Sequence, residues 1–315
     1  MRAAVVERYG PPEVVHVMEV PRPEPRAHEA LVRVVATAVT SGDARIRGAR
    51  FPPGFGVPAR LAFGLRGPRR PILGGAFSGV VEAVGDRVVD LSRGDEVCAM
   101  TGVKMGAHAE FVAVRSTTLA RKPSTVAHDD AAGVLFGGTT ALWFLRDKGG
   151  IGPGTSVLVN GASGAIGTNA VQLATSFGAT VTAVTSAANA ALVAGLGADR
   201  IIDHTTEDLF AKAERFDVVL DAVGNISIAS GRRLLTDGGT LLLAVAGLGE
   251  VIRARGDVAA GSAPERIADL DLLLQLVADR ELTVVHDQGG TLDDIVDAHR
   301  RVDGGHKVGN IVLRP

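Results

Sequence analysis

Cysteine and aromatic residues are scarce in this chain of 315 residues. Cys98 is the single cysteine, so no intrachain disulfide can form and no zinc lobe can be built from several thiolates. Aromatic residues account for only 4% of the sequence, whereas glycine is abundant at 40 residues and falls between periodic segments. This distribution predicts many tight turns between short elements.

The chain also lacks a large excess of charge of either sign. Its formal net charge is -2, which leaves no basic field to hold a polyanion and argues against nucleic acid as a partner. No apolar run approaches the roughly 20 residues of a membrane-spanning helix. The N-terminus has no apolar signal-peptide core and meets a charge at Glu7. We therefore expect no membrane association and a cytoplasmic location.

The periodicity changes twice along the chain, which is longer than one typical core of about 100–150 residues. In residues 1–124, short β-branched runs alternate with turn signals, which predicts a barrel-like β domain. In residues 125–261, apolar strands alternate with helices, which predicts a doubly wound parallel sheet. Residues 262–315, with a strand-like segment at Leu282–Val285, are expected to return to the first domain. The predicted class is α/β with a discontinuous β-rich domain.

A glycine-rich turn, Gly161–Gly167, lies between a predicted buried strand and a predicted helix. Gly161 permits the tight bend, and Gly167 lets the helix pack close to the strand. Ser163 and Gly164 let backbone N–H groups approach a pyrophosphate at the helix N-terminus. The turn is typical of dinucleotide-binding folds, with an ordinary tight turn as the alternative.

The segment after the second strand of this sheet distinguishes NAD from NADP. An acidic residue there would bind the ribose hydroxyls of NAD, but Val184–Asn189 contains none. Thr185, Ser186 and Asn189 can donate hydrogen bonds to a 2′-phosphate, although no Arg or Lys accompanies them. We expect NADPH as the cofactor, with NADH as the alternative.

One long segment and seven shorter ones carry a resemblance to a known family. The long one, Asn160–Ala174, contains the glycine-rich turn; the others are Tyr9–Val14, Gly75–Val81, Gly94–Val97, Gly137–Leu142, Leu196–Asp199, Asp217–Gly224 and Gly309–Leu313. They closely resemble quinone oxidoreductases of the medium-chain dehydrogenase/reductase superfamily and keep that family's order. The resemblance implies a GroES-like catalytic domain, a Rossmann domain and a cofactor in the cleft between them.

The resemblance also assigns residues to the cofactor. Thr140 would sit beside the nicotinamide, and His204, where the family often has tyrosine, would contact the adenosine phosphate unless it is a plain surface histidine. Asn310 stands where many relatives have lysine, so one expected charge is missing. Taken together, the turn, the segment after the second strand and the resemblance predict these cofactor residues: Gly161, Ser163, Gly164, Ala165, Ile166, Thr185, Ser186, Asn189, His204, Val223, Gly224, Val245 and Asn310.

The zinc ligands of this superfamily are missing from the chain. Gly75–Gly79, the corresponding segment, has no His or Glu, and Cys98 has no partner at ligand spacing, so we predict a buried apolar thiol and no zinc. Hydride transfer without a metal Lewis acid needs an acceptor that is already electrophilic, such as a quinone or an enone. We expect a small, apolar, electrophilic substrate.

The acceptor side departs most from the family, which often has Asn-Pro where this chain has Thr40-Ser41-Gly42. The catalytic candidates are Thr40, whose hydroxyl can orient the substrate or the nicotinamide, Asp43 and Thr140. An ion pair of Asp43 with Arg45 or Arg47 is the favoured alternative to catalysis. The segment Phe51–Phe63, rich in Pro, Gly and Phe, predicts a mobile lid over an apolar pocket. No general acid stands out, so water is as good a proton donor as any side chain.

The sequence leaves three functions open. The leading one is NADPH-dependent reduction of a quinone or another enone-type acceptor. The second is an enoyl reductase of a biosynthetic pathway, and the third is a non-catalytic protein that binds or senses NADPH. A homodimer through edge strands of the Rossmann sheets is expected from the resemblance, although the candidate edge, Glu250–Ala260, is charged.

Overall fold

The computed structural model describes residues 1–211 and 213–315. The strands are β1 (Arg2–Val6), β2 (Val15–Glu19), β3 (Glu29–Val39), β4 (Ala76–Val84), β5 (Glu96–Met100), β6 (Phe111–Arg115), β7 (Ala120–Arg121), β8 (Ser156–Asn160), β9 (Thr180–Thr185), β10 (Arg200–Asp203), β11 (Phe216–Asp221), β12 (Leu235–Leu243), β13 (Val258–Ala260), β14 (Gly290–Thr291) and β15 (Ile311–Arg314). The helices are α1 (Ser41–Gly48), α2 (Gly56–Phe63), α3 (His128–Leu142), α4 (Ala165–Ser176), α5 (Ala187–Gly195), α6 (Ile228–Arg232), α7 (Leu248–Arg253), α8 (Ile267–Ala278) and α9 (Ile295–Asp303). None of the described helices is long and apolar enough to cross a lipid bilayer.

Strands β8 to β13 form a parallel sheet in the order β10-β9-β8-β11-β12-β13. The central strands carry apolar runs, such as Val157, Leu158 and Val159 of β8, that are completely buried. Such runs are typical of parallel sheets because helices cover both faces. The strand order turns back between β8 and β11, and doubly wound sheets bind ligands outside the carboxyl ends at this switch point. The predicted doubly wound sheet is confirmed.

The second large sheet runs β14-β15-β3-β4-β5-β7, with β6 also paired to β3. β15 lies antiparallel to β3, with Ile311 opposite Val39. The C-terminal strand therefore returns to the N-terminal sheet, as predicted. Together the two sheets confirm the α/β class with a β-rich part beside a Rossmann sheet.

The largest hydrophobic core joins the two sheets. It contains Cys98 of β5, Leu135 of α3 and Val157 of β8, and also the apolar face of α8 with Leu270 and Leu273. Helix α8 packs in this shared core against α3 and also contacts β7, so it touches elements of both predicted domains. The predicted domain bounds, 1–124 with 262–315 and 125–261, stay a prediction.

One predicted strand, Leu282–Val285, is wrong. The Thr283 N–H donates to the side chain of Gln172 in α4, and the Val285 carbonyl oxygen accepts from the Asn310 N–H. The Gln172 side chain also bonds the Thr283 carbonyl oxygen, and the bond to Asn310 belongs to one isolated β-bridge, so no ladder extends along the segment. The segment is a connection that links the C-terminal residues to α4.

Candidate functional site

The residues predicted to bind a cofactor converge at one edge of the parallel sheet. The turn Gly161–Gly167 follows β8, Thr185 ends β9, His204 follows β10, Val223 follows β11 and Val245 follows β12. Because the strands are parallel, their carboxyl ends lie at the same edge. Residues far apart in the sequence thus meet where ligands of this fold bind.

Two glycines of the turn are required by its geometry. Gly161 has a φ of 83°, in the left-handed region that favours glycine. A Cβ on Gly167 would lie 2.1 Å from the carbonyl oxygen of Gly161. Only a glycine therefore lets α4 approach the turn this closely.

The first turn of α4 is open to a ligand. No side chain caps the helix at Gly164, so its first N–H groups are available to an anion. The atom nearest to a Cβ added at Gly164 would be the Gly161 carbonyl oxygen, at 3.5 Å. The backbone at residue 164 is therefore uncrowded, and the pyrophosphate that the N–H groups of Ala165 and Ile166 are predicted to hold stays a prediction.

Polar side chains gather between the turn and the end of β9. Asn189 Nδ2 lies 3.2 Å from Ser163 Oγ and 3.4 Å from Ser186 Oγ. Thr185 is only 2% exposed, and its hydroxyl has no hydrogen-bond partner among the described residues. Ser186 and Asn189 are half-buried, so they are the side chains at this strand end that a ligand can reach.

A cavity of about 480 Å³ adjoins the end of β9. This volume lies within the range of small-molecule sites. The exposed His204 stands at its rim, with its backbone N–H bonded to the Thr185 carbonyl oxygen at 3.1 Å. The cavity is lined by Asn160, Val184, His204, Thr205, Thr206, Glu207, Asp208, Leu209, Phe210, Asn225 and Ile226.

Sequence reasoning missed Asp221, which shapes the loop after β11. Its buried carboxylate accepts from the N–H groups of Val223 and Gly224, both at 3.0 Å, and from Asn160 Nδ2 at 2.9 Å. These bonds fold the loop against the turn, where a Cβ on Gly161 would lie 2.6 Å from Val223. The sequence does contain a signal for this role, because Asp221 is an acidic residue at the end of a buried apolar strand.

The C-terminal segment closes the turn from the β-rich side. The Gly309 N–H donates to the Ser163 carbonyl oxygen at 2.8 Å, and Gly309 has a φ of 63°. Asn310 is buried, and its side-chain amide donates to the Val285 carbonyl oxygen at 3.1 Å. The contact with the turn is thus made by the Gly309 backbone, while the Asn310 amide stabilises the neighbouring connection.

Thr40 and Asp43 form a capping box at the start of α1. Thr40 Oγ1 accepts from the Asp43 N–H at 3.2 Å, and Asp43 Oδ2 accepts from the Thr40 N–H at 2.8 Å. The other oxygen of the buried Asp43 accepts a further backbone N–H. The predicted ion pair with Arg45 or Arg47 is therefore wrong, and Arg47 pairs with Asp303 instead. A catalytic role for Thr40 or Asp43 stays a prediction.

Thr140 lies on α3, between α1 and the nucleotide turn. Its hydroxyl donates to the Phe136 carbonyl oxygen at 2.8 Å. A Cβ on Gly42 would lie 4.0 Å from the Phe136 ring, and a Cβ on Gly137 would lie 2.1 Å from the Ala165 carbonyl oxygen. One face of α3 thus contacts both predicted sites, and the role of Thr140 beside the nicotinamide stays a prediction.

A second cavity, of about 430 Å³, lies between α1 with the segment after it and the end of β12. The Leu248 N–H donates to the Pro53 carbonyl oxygen at 2.8 Å and joins the two walls. The predicted lid contributes Phe51, Pro52 and Pro53, and its movement stays a prediction. This pocket was expected to be apolar, but three arginines line it. Its full lining consists of Arg45, Arg50, Phe51, Pro52, Pro53, Gly224, Val245, Ala246, Gly247, Gly249, Glu250 and Arg253.

Comparisons with known proteins agree with this architecture. Residues 26–124 match the alcohol dehydrogenase GroES-like domain, and residues 196–313 match the zinc-binding dehydrogenase family. The quinone oxidoreductase from Coxiella burnetii is 28% identical, with a TM-score of 0.91 over 100% of this chain and 99% of that chain. The chloroplastic NADPH-dependent alkenal/one oxidoreductase of Arabidopsis thaliana is 29% identical over 100% of this chain and 80% of its own length.

A further relative is longer than this chain. The mitochondrial NAD(P)H oxidoreductase RTN4IP1 of Mus musculus is 34% identical over 71% of this chain, which spans 60% of that relative. The fold and the site define a two-domain protein with a Rossmann sheet and a GroES-like domain. The chain carries both matched dehydrogenase segments and is similar in sequence and fold to quinone oxidoreductases of the medium-chain dehydrogenase/reductase superfamily.

The donor atoms of this chain do not fit the zinc of the matched dehydrogenase family. Cys98 is completely buried, and burial raises its pKa to about 12, so a thiolate ligand is strongly disfavoured. Among the described residues, no group of three or more His, Cys, Asp or Glu side chains is placed to hold a metal ion. A catalytic zinc needs three such ligands.

Proposed function

We propose that this chain is an NADPH-dependent, zinc-independent reductase that transfers hydride to a quinone or another enone-type acceptor. The observation that carries the proposal is the uncapped first turn of α4, with open space at Gly164, at the switch point of the sheet. Two relatives, an NADPH-dependent alkenal/one oxidoreductase and a quinone oxidoreductase, support the same chemistry.

The cofactor would lie along the carboxyl edge of the parallel sheet. Backbone N–H groups of the turn would hold the pyrophosphate, and Ser186, Asn189 and His204 would meet the 2′-phosphate. No acidic residue stands among residues 184–189 to repel that phosphate, which favours NADPH over NADH. Val223, Gly224 and Val245 would line the path from the turn to the cleft.

Reduction adds one hydride and one proton to the acceptor. Bound NADPH supplies the hydride, and the hydroxyls of Thr40 and Thr140 would orient the nicotinamide and the acceptor from opposite helices. Glu250, an acid that lines the cleft, accepts from the Gly247 N–H at 2.9 Å. Because this carboxylate caps α7, we assign the proton to water.

The acceptor panel separates this function from its two alternatives. Purified protein is mixed with NADPH or NADH and with quinones, enones or enoyl thioesters, and the loss of nicotinamide absorbance is followed. We expect turnover of quinones or enones with the higher kcat/KM for NADPH. Turnover of thioesters alone would identify an enoyl reductase. Tight NADPH binding without oxidation by any acceptor would identify a binding or sensing protein.

We also propose a cytoplasmic homodimer that pairs through β13, the edge strand of the parallel sheet. The ion pair of Arg232 with Asp257 lies beside this edge, so pairing has to accommodate its charges. Sedimentation velocity should give a dimer that Ala260→Pro converts to a monomer, because the N–H of residue 260 points away from β12. A monomeric wild-type protein would contradict the assembly, and cell fractionation tests the location.

A further inference from the structure

The second cavity, which is the cleft between α1 and the end of β12, contains positive charge that hydride transfer does not use. Arg45, in the last turn of α1, lines it together with Arg50 and Arg253. Arg50 forms an ion pair with Asp303. Within the described residues, the side chains of Arg45 and Arg253 form neither a hydrogen bond nor an ion pair. Two of the three guanidinium groups thus have no protein counterion.

The environment of Arg45 makes this lack of a partner significant. Its side chain is half-buried, and burial lowers the pKa of its guanidinium with no opposing carboxylate. A partly desolvated cation without a counterion is unfavourable. Asp43 cannot supply the counterion because Thr40 and a backbone N–H occupy its carboxylate.

The rest of the cleft contains apolar groups and one carboxylate that is already hydrogen-bonded. Val245, Ala246 and Phe51 present apolar groups, and the carboxylate of Glu250 is engaged with the Gly247 N–H at 2.9 Å. Arg253 is exposed and approaches from α7, on the wall opposite α1. A molecule that fits this cleft has an apolar body and an anionic end.

We propose that the acceptor carries an anionic group, a carboxylate or a phosphate, and that the Arg45 guanidinium binds it while Arg253 contributes at the rim. This inference rests on the proposed function and narrows its substrate from a small apolar electrophile to an electrophile with one charged end. A guanidinium binds either oxyanion through two parallel hydrogen bonds. Arg45 is a specificity-determining residue here and takes no part in proton or hydride transfer.

Two matched substrate pairs test the proposal. The carboxylate pair is a 4-oxo-2-alkenoate and its methyl ester; the phosphate pair is an enoyl thioester of phosphopantetheine and the same thioester of pantetheine. We expect the wild type to prefer one or both anions by about tenfold or more in kcat/KM. Whichever pair shows the preference identifies the anionic group.

Variants assign the preference to the cleft. Arg45→Met should abolish it by raising KM for the anion, leaving kcat and the neutral partner unchanged, and Arg45→Lys should restore part of it. Arg253→Met should give a smaller loss. The matched control is Arg87→Met, because Arg87 is exposed in the loop after β4 and does not line the cleft.

Three results would overturn the proposal. They are equal kcat/KM values for anion and neutral partner in both pairs, an equal loss for both in Arg45→Met, and a weaker NADPH affinity of Arg45→Met in calorimetry. A lack of turnover with every acceptor would instead refute the proposed function. The anion site would then be tested by calorimetric binding of a saturated 4-oxoalkanoate to the wild type and to Arg45→Met in the presence of NADPH. Equal affinities would refute it.

Discussion

The two proposed sites, a cofactor side at the edge of the parallel sheet and an acceptor side in the cleft, are built from different groups of atoms. The cofactor side consists of strand ends, one helix N-terminus and glycines such as Gly161 and Gly167, so backbone forms most of it. The acceptor side consists of long side chains, with Arg45 from α1 and Arg253 from α7. Backbone geometry follows from neighbouring residues, whereas the position of a long side chain depends on distant contacts. The proposed cofactor site is therefore encoded locally, whereas the proposed acceptor site is not.

The largest expected effect is a loss of stability. It tests whether α1, the helix that carries Arg45 on the acceptor side, depends on a buried side chain. Arg47 is completely buried, pairs with Asp303 and donates to the Gly10 carbonyl oxygen at 2.7 Å. Arg47→Met should lower the free energy of unfolding by about 3 kcal/mol, because the partners of a buried charge lose their counterion. Urea unfolding measures the change.

The matched control is an arginine in an exposed pair, Arg314 with Asp129. Arg314→Met should cost less than about 1 kcal/mol, since water screens a surface pair. Similar losses for the two variants would contradict the view that buried Arg47 anchors α1 while the Arg314–Asp129 pair is an ordinary surface contact.

The second prediction tests the backbone character of the cofactor side. Gly164→Asp should weaken NADPH binding by about 100-fold or more, because a carboxylate would occupy the pyrophosphate space and repel its charge. The protein should still fold, since an added Cβ comes no closer than 3.5 Å to another atom. Calorimetric titration measures the affinity.

Gly152→Asp is the control for this variant. An added Cβ at Gly152 meets no atom within 4 Å, and the residue precedes β8 at the other end of the sheet. It should bind NADPH like the wild type. Undiminished binding by Gly164→Asp would show that the pyrophosphate lies elsewhere.

The third prediction concerns the side chains that the cofactor side does use. Ser186→Asp should shift the ratio of kcat/KM for NADPH and NADH about tenfold towards NADH, because the new charge repels a 2′-phosphate and can accept from ribose hydroxyls. Steady-state kinetics with both cofactors measures the ratio. Ser124→Asp adds the same charge at an exposed serine before α3 and should leave the ratio unchanged. An unchanged ratio in Ser186→Asp would place the phosphate away from β9.

The smallest effect concerns a buried polar group behind α1. Both ring nitrogens of His299 are buried without a partner among the described residues, and its ring meets that of His108 at 6.1 Å. Burial, together with the charges of His108 and Arg47, holds the pKa of His299 well below its usual value. The neutral form is therefore the folded form, and protonation favours unfolding.

Neutral His299 makes its full contribution to the free energy of unfolding above its unfolded pKa of about 6.5. Below that pH, the free energy of unfolding falls by up to about 1.4 kcal/mol per pH unit. Urea unfolding at pH values from about 6.5 to 5.5 should show this slope in the wild type. His299→Phe should reduce it, and the exposed His28→Phe should not. An identical slope in His299→Phe would mean that other groups cause the acid sensitivity.

Much of the cofactor side could be predicted because the backbone geometry at single positions allows only one kind of residue. A positive φ at Gly161 and a 2.1 Å approach at Gly167 require glycine, so the turn is visible in the sequence. The apolar strands β8 and β11 show equally plainly that they are buried on both faces. The burial of Cys98 also follows from its apolar neighbours.

The acceptor side could not be predicted because its contacts join distant positions. Asp43 has two arginines within four residues, yet it caps α1 while Arg47 pairs with Asp303, which is 256 positions away. The apolar segment Leu282–Val285 has the composition of a strand, but the Gln172 side chain bonds both backbone groups of Thr283 and the pairing with Asn310 is a single bridge. Such choices depend on tertiary packing, which leaves no local pattern.

The central claim is hydride transfer from NADPH at the sheet edge to an acceptor in the cleft. NADPH with deuterium in both positions at C4 is incubated with the protein and a 4-oxo-2-alkenoate, and the product is analysed by mass spectrometry and NMR. We expect one deuterium on one former alkene carbon and one hydrogen from water on its neighbour. A reduced product without deuterium, or bound NADPH with no product from this or any quinone, would contradict the account.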